Sequence, residues 1–338
     1  MRIHVVSESP VGVRAHGVHS AYVGDVEGLR NAREVDLATN GVPRRRSDIV
    51  HVHTLGPYSM AMLAISGRKR VISAHLTPDS LLGSVVAATQ FRGLFKRYIA
   101  WAYNRADLVI AVSEQTQQEL RREGVNSPIA VLRNAVPCFE IAEARAKRQL
   151  ARRGLGIGED TTVIIAIGQM QPRKGLAEFI ETARRFPKLR FIWVGDVIFG
   201  ALSARRKEMH RLVSDAPDNI HFPGAVPGHR VYELLGAADI YVSCSKHETF
   251  GLASMEAAAS SLPLVLSDIP VHRAIYEDGA NYADGLDEIE RHVGILARDT
   301  RERRIWGLRA REVAARHDVS EHIAGLVALY SQILTSGP

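Results

Sequence analysis

The feature that most constrains the fold is an alternation of short β-branched apolar runs with longer amphipathic stretches, which occurs twice along the chain. Several runs, such as Val163–Ile167, are continuously apolar, which is typical of parallel strands covered by helices on both faces. The stretches between them have helical spacing, as in Leu176–Arg185. The pattern predicts an α/β protein with two sets of βαβ units. The predicted strands are Ile3–Val6, Ile49–His53, Arg70–Ala74, Leu108–Val112, Ile129–Leu132, Val163–Ile167, Arg190–Val194, Ile220–Phe222, Ile240–Val242 and Leu264–Ser267.

The length of 338 residues corresponds to about two domains. The break between them is expected between Asn134 and Glu159, where a charged helix-like stretch is followed by three closely spaced glycines. We predict a first domain over residues 1–136 and a second over 137–318. Residues 319–338 are predicted to contain a C-terminal helix that could pack on either domain, and we favour a return to the first.

Composition excludes several classes of protein. Apolar residues make up 46% of the chain, which rules out a disordered protein, and no apolar run is long enough to predict a membrane span. The first ten residues lack a long apolar stretch, so we expect no signal peptide. Cys138 and Cys244 lie far apart, which suits a reducing cytoplasm.

The net charge of +6 admits three partners: nucleic acid, an anionic membrane surface or an anionic substrate. Aromatic residues are only 6% of the chain, and no known nucleic-acid-binding module is evident. We therefore predict no nucleic-acid partner.

The most informative segment is Ser245–Ala257, which follows a predicted strand and begins a helix near Gly251. Unpaired amides at a helix N-terminus favour an anion, particularly a phosphate. Glu248 and Glu256 can accept hydrogen bonds from hydroxyls at two ends of one ligand. The same pattern also suits solvated glutamates that flank a helix start.

The Glu248-x7-Glu256 pair, with Phe250 and Gly251, resembles the signature of retaining glycosyltransferases of family 4, which have the GT-B fold. The resemblance implies two Rossmann-like domains with parallel sheets facing across a cleft. It departs from the family pattern at Gln169, Arg133 and Ala135. Further segments that match the family are 106–113, 129–137, 168–175 and 237–245.

The resemblance also implies roles for individual residues in donor binding. Arg173 and Lys174 would neutralise the donor diphosphate, and Glu256 would bind the ribose hydroxyls. Glu248 would face the donor sugar as a catalytic residue. The donor-binding residues that the resemblance implies are Gly17, Arg173, Lys174, Phe250, Gly251, Leu252 and Glu256.

His75, at the end of a predicted strand, resembles the active-site histidine of the family and is predicted to be catalytic. Acceptor contacts are predicted at Asp79, Phe91 and Phe95. His51 and His53 share one face of a strand, but no third ligand is evident and the family carries similar histidines without metal, so we expect no metal.

Segments 74–80, 173–175 and 179–195 resemble bacterial diacylglycerol glucosyltransferases, which sit on the membrane surface. The region 91–102 is consistent with that resemblance. Its apolar residues recur at helical spacing with Arg92, Lys96 and Arg97 off that face, which fits an interfacial helix, although a core helix fits as well. The predicted apolar face is Phe91, Leu94, Phe95, Tyr98, Ile99 and Ala102.

The implied function is metal-independent, retaining transfer of a hexose from a nucleotide-sugar, expected to be a UDP-sugar, to a membrane lipid such as diacylglycerol. The alternatives are a polysaccharide, polyprenyl-linked glycan or small-molecule acceptor, a sugar-nucleotide epimerase, and a non-catalytic sugar-nucleotide-binding module. We expect no cofactor, and a cytoplasmic protein peripheral on the inner face of the membrane.

Overall fold

The computed structural model of the chain describes residues 1–8, 17–41, 46–65, 67–78, 92–197 and 206–335. The described residues form two compact units. Unit 1 contains those up to Ala135 together with 319–335, and unit 2 contains 136–318. Among the described helices, none combines the length and apolar character that crossing a membrane requires.

Unit 1 contains a six-stranded, wholly parallel sheet in the order β2-β1-β3-β4-β5-β6. The central strands are buried on both faces because helices pack on each side of them. The strands are β1 (Arg2–Val6), β2 (Asp36–Thr39), β3 (Ser47–Val52), β4 (Gly67–Ala74), β5 (Leu108–Ala111) and β6 (Ile129–Val131).

The helices of unit 1 include the last described helix of the chain. The helices are α1 (Gly17–Asn31), α2 (Pro57–Ile65), α3 (Arg92–Tyr103), α4 (Glu114–Arg122) and α14 (Val319–Thr335). Helix α14 packs against α1. A Cβ atom at Gly28 would lie 2.3 Å from Cγ1 of Ile323, so glycine allows this close approach. Residues 319–335 are therefore part of the core of unit 1.

Unit 2 contains a second six-stranded parallel sheet, in the order β12-β11-β10-β7-β8-β9. Phe179 on a covering helix packs edge-on against Phe191 and Trp193 of β8 in the core. The strands are β7 (Val163–Ile167), β8 (Arg190–Val194), β9 (Ile220–Gly224), β10 (Ile240–Ser243), β11 (Leu264–Ser267) and β12 (Asn281–Ala283). The helices are α5 (Cys138–Ala146), α6 (Arg148–Gly154), α7 (Leu176–Arg185), α8 (Arg206–Ser214), α9 (Gly228–Ala237), α10 (Leu252–Ala259), α11 (Pro270–Tyr276), α12 (Leu286–Arg298) and α13 (Thr300–Ala315).

The predicted α/β fold with two parallel sheets is confirmed, and each predicted strand overlaps an observed one. The sequence did not reveal β2 and β12, which are the edge strands on one side of each sheet. Both are short, and β2 carries Asp and Thr where a buried strand would be apolar. Edge strands need less apolar surface, so their sequences give a weaker strand signal.

Candidate functional site

The loop after β7 is shaped by glycine and by a short turn of 3₁₀-helix at Pro172–Lys174. Gly175 has φ 74° and ends this turn in the left-handed region. A Cβ atom at Gly175 would lie 2.3 Å from Cβ of Cys244. Only glycine lets the loop approach the end of β10 this closely.

Lys174 and Glu248 form an ion pair in unit 2, with 2.5 Å between Nζ and Oε1. Their side chains are only 16% and 12% exposed. Burial alone would raise the pKa of Glu248, but Lys174 and Arg173 lower it to about 2. The structure thus brings together two residues that the sequence placed in one site.

Arg173 lies beside this pair, and its Nη1 donates to the carbonyl of His247 at 3.3 Å. Burial lowers the pKa of Arg173, and the charge of Glu248 opposes this effect. Two cationic side chains therefore share one buried carboxylate, which leaves an excess of positive charge for an anionic ligand.

Helix α10 begins at the predicted site. Gly251 has φ 89° and is the N-cap residue, with no side-chain hydrogen bond to the first amides of the helix. These amides point out of the helix N-terminus and favour negative charge. The Phe250 ring is buried beside His317, whereas Leu252 in the first turn of the helix is partly exposed.

Glu256 lies on α10, one turn beyond its start. Burial raises the pKa of its carboxyl group to about 7. Within the described residues its carboxylate makes no hydrogen bond, in contrast to Glu248. Once this carboxyl group ionises, both of its oxygens can accept hydrogen bonds from ligand hydroxyls.

Sequence reasoning missed His272 on α11. Its Nδ1 lies 2.8 Å from the carbonyl of Ser267, so Nδ1 carries the proton. Its Nε2 is buried, has no hydrogen-bond partner among the described residues, and lies 3.8 Å from the Cβ position of Gly251. No motif or spacing links it to the Glu248 segment, so only the fold reveals it.

In unit 1, His75 follows β4 and its Nε2 lies 3.1 Å from Nδ1 of His53. Gly17 is the exposed first residue of α1. Phe95 lies on α3 and is partly exposed. The predicted acceptor residues Asp79 and Phe91 lie outside the described residues.

The predicted apolar face of α3 was wrong in part, because α3 has two apolar faces. Ile99 and Ala102 are buried in the core, together with Tyr103, which the prediction omitted. On the solvent side, Leu94 and Trp101 are 68% and 46% exposed. The core interpretation therefore holds for one face of α3, and the interfacial interpretation stays a prediction for the exposed face.

The spacing of His51 and His53 along the chain gave no indication of a third group near them, the carboxylate of Asp25. Asp25 on α1 lies beside them, and one ligand atom from each of these three buried residues lies within 4.8 Å of the others. This geometry is compatible with a metal ion. However, Nε2 and Nδ1 of His51 already contact Oγ of Ser73 and the hydroxyl of Tyr330, at 2.8 and 2.7 Å.

Comparison with known proteins agrees with this arrangement. A family model described as Glycosyltransferase Family 4 matches residues 2–138, and one described as Glycosyl transferases group 1 matches residues 147–313. Together these models span most of both units, but not the last described helix, α14.

Two curated relatives act on lipids according to their names. The chain is 29% identical over 303 residues to the alpha-galactosylglucosyldiacylglycerol synthase of Streptococcus pneumoniae, covering 86% of this chain and 78% of that protein. It is 25% identical over 276 residues to the processive diacylglycerol alpha-glucosyltransferase of Acholeplasma laidlawii, covering 80% of each.

The fold is similar to that of Anabaena Alr3699/HepE, whose crystal structure was solved in complex with UDP and glucose. The TM-score is 0.78 at 18% identity, over 98% of this chain and 99% of that chain. The two matched models, the two parallel sheets and these relatives agree. The chain belongs to the GT-B glycosyltransferases, with a family 4 region followed by a group 1 region.

Proposed function

We propose that this glycosyltransferase moves a hexose from a nucleotide-sugar, with UDP as the favoured nucleotide, to a hydroxyl of a membrane lipid of the diacylglycerol class, with retention of anomeric configuration. The observation that carries the proposal is the buried Lys174–Glu248 pair close in sequence to the N-terminus of α10, where the N-cap residue Gly251 provides no side-chain cap. The names of two relatives support the lipid acceptor, and a structural neighbour bound to UDP and glucose supports the donor.

The proposed donor contacts follow from charge. The diphosphate binds at the N-terminus of α10, at the amides of Phe250, Gly251 and Leu252, where the helix dipole favours an anion. Arg173 and Lys174 add two cations, which is the charge that a departing diphosphate requires. Arg173 takes the place of the arginine that the family pattern has at the position of Gln169.

The remaining donor contacts are hydrogen bonds to hydroxyls. Glu256 accepts from the ribose hydroxyls, and Glu248 accepts from a hydroxyl of the donor sugar. Because Lys174 holds Glu248 ionised, this carboxylate can only accept hydrogen bonds. Gly17, at the start of α1, is assigned to the donor as well.

The chemical step needs no nucleophile from the protein. The acceptor oxygen attacks the anomeric carbon on the face from which the diphosphate leaves. The bond from carbon to acceptor oxygen forms, the bond from carbon to phosphate oxygen breaks, and the acceptor proton passes to the leaving phosphate. Arg173 and Lys174 stabilise the charge that develops on the phosphate, and His75 aligns the reacting groups.

The proposed acceptor side lies in unit 1. Exposed Leu94, Tyr98 and Trp101 on α3, with Arg97 and Arg105 beside them, suit the boundary between headgroups and acyl chains of an anionic membrane. Arg105 stacks on the ring of Trp101 with its Cζ 4.3 Å from the centroid. We assign acceptor contacts to Asp79, Phe91 and Phe95, and a peripheral position on the inner face of the membrane.

The test is incubation with UDP- and GDP-sugars together with diacylglycerol vesicles or glycan acceptors, followed by product mass and anomeric NMR. A glycolipid with retained configuration is expected. Transfer to a glycan alone would replace the lipid assignment, and an inverted product would overturn the mechanism.

Two variants sharpen the test. Lys174→Met should weaken UDP binding and lower transfer by ~100-fold or more, because the diphosphate loses a buried cation. Lys188→Met is the matched control, since Lys188 is an exposed lysine of the same unit. Equal activity of the two variants would contradict the donor site.

A further inference from the structure

A chain of buried ionisable side chains runs from His75 into the core of unit 1. Nε2 of His75 lies 3.1 Å from Nδ1 of His53. Nε2 of His53 lies 3.5 Å from Oδ2 of Asp25, and Oδ1 of Asp25 lies 2.9 Å from Nε2 of His322 on α14. Nδ1 of His322 in turn lies 2.8 Å from the carbonyl of Arg133.

Proton positions at the inner end follow from the partners of His322. A carbonyl can only accept, so Nδ1 of His322 carries a proton, and Nε2 donates to the Asp25 carboxylate. Burial favours the neutral form of each group, but their mutual attraction and hydrogen bond outweigh it. The pKa of Asp25 is lowered and that of His322 is raised. The inner end is therefore an ion pair.

The charge of Asp25 also orders the outer end. Burial holds the pKa of His53 well below its usual value, so His53 is neutral and has one ring proton. Nε2 of His53 makes no hydrogen bond within the described residues, but the carboxylate charge 3.5 Å away favours the tautomer with the proton on Nε2, which leaves Nδ1 of His53 as an acceptor. Nε2 of His75 must then donate to it, and in neutral His75 the lone pair is on Nδ1.

His51 lies beside this series of ionisable side chains without being part of it. Its ring centroid lies 4.5 Å from that of His53 with the ring planes tilted by 38°, while its Nδ1 contacts Tyr330 and its Nε2 contacts Ser73. A metal bound to Asp25, His51 and His53 would break one of these contacts. The hydrogen-bond pattern favours proton positioning over metal binding.

We propose that Asp25, His53 and His322 are positioning residues which fix the orientation and tautomer of His75, so that Nδ1 of His75 is presented as a hydrogen-bond acceptor to a substrate hydroxyl. The inference deepens the proposed function and rests on it for the contact between His75 and substrate. The ordering of protons within unit 1 does not depend on that contact.

The first test reads the protons directly in the wild-type protein. Long-range ¹H–¹⁵N NMR, with signals assigned by single histidine substitutions, should show neutral His75 protonated at Nε2 and His322 protonated at both nitrogens. His75 protonated at Nδ1 would overturn the proposal, as would one equivalent of tightly bound zinc that Asp25→Asn releases. This measurement needs no turnover, so it stands apart from any failure of the proposed transferase activity.

The second test separates positioning from binding. Asp25→Asn should lower kcat by up to ~100-fold, since the His75 ring is no longer held, and should leave KM for the nucleotide-sugar within about twofold. The NMR signals of His75 should shift toward a mixture of tautomers. Tyr330→Phe is the matched control, because it removes a buried hydrogen bond to His51, which is not one of the proposed positioning residues. Both kcat and the NMR signals of His75 should be unchanged in this variant.

A purely structural role is tested by a double variant. Asp25→Asn leaves His322 without its counter-charge, so the unfolding temperature of this variant should fall. Adding His322→Gln to the same chain should restore part of the lost unfolding temperature. Restored stability with kcat still low is the expected result. Recovery of kcat in step with stability would overturn the proposal.

Discussion

Glu248 and Glu256 belong to one short motif, yet their surroundings shift their pKa values in opposite directions. Lys174 contacts Glu248 and its pKa is lowered to about 2, whereas burial without a cationic contact raises the pKa of Glu256 to about 7. Groups with divergent pKa values in one site commonly have different roles. Here the difference fits the proposed roles, in which Glu248 is held ionised to accept from a hydroxyl of the donor sugar and Glu256 ionises when the ribose binds.

The pKa of Glu256 leads to a prediction on pH. If ribose hydroxyls donate to this carboxylate, UDP binds the ionised form, so affinity should rise as pH increases from 6 to 8 and should level off above the pKa. Calorimetry should show a smaller pH dependence for Glu256→Gln than for the wild type, since titration of the diphosphate itself is common to both. Parallel pH profiles would remove Glu256 from the ribose site.

Gly175 leads to a prediction on stability. Gly175→Ala should lower the unfolding free energy by ~2–4 kcal/mol, because a left-handed φ is joined by a clash with Cys244. Gly156→Ala is the matched control: it has φ 64° but open space around its Cβ position, so ~1 kcal/mol is expected. Urea unfolding measures the unfolding free energy of both variants. Equal losses would show that backbone strain alone accounts for the destabilisation, without a contribution from the contact with Cys244.

Helices α6 and α9 meet through arginines whose role was not evident from the sequence. Arg152 is buried and donates to the carbonyl of Ala237 at 2.9 Å and to Oδ2 of Asp239 at 3.3 Å. Arg148 donates to the other oxygen of Asp239 at 2.6 Å. The C-terminus of α9 thus has its unpaired carbonyls satisfied by cations, which its dipole also favours.

Removal of Arg152 should therefore destabilise unit 2. Arg152→Met should cost ~3–5 kcal/mol, because buried carbonyls and part of the Asp239 carboxylate lose their donors. The neighbouring Arg153 is exposed, so Arg153→Met should change stability by no more than about 0.5 kcal/mol. Thermal unfolding of the two variants provides the comparison, and similar melting curves would contradict the role assigned to Arg152.

The elements also show what sequence could and could not predict. Continuous apolar runs located the core strands, and the Glu248 segment located the start of α10 to within a residue. Periodicity did not place Asp25 and His322 beside His53, since they are contributed by helices far apart in sequence. Contacts between distant segments depend on packing, which no local spacing records.

At the scale of the whole molecule, the +6 charge has several structural uses. Some arginines are tied to carbonyls and carboxylates within unit 2, as at Arg148 and Arg152, and Arg173 and Lys174 surround a carboxylate. Arg97 on α3 and Arg105 just after this helix remain exposed beside apolar side chains. Cationic side chains therefore lie at two places that suit two different anions.

The last prediction concerns membrane attachment. The protein should co-sediment with vesicles that contain anionic lipid, and less so at high salt, because screening weakens attraction of exposed arginines to the surface. Trp101→Ala should reduce binding several-fold, since a partly exposed aromatic ring no longer enters the interface. Leu308→Ala is the control, as Leu308 is a half-exposed apolar residue on α13 of the other unit. Equal binding by the two variants would place the membrane contact elsewhere, because α3 would then contribute no more than an unrelated apolar surface residue.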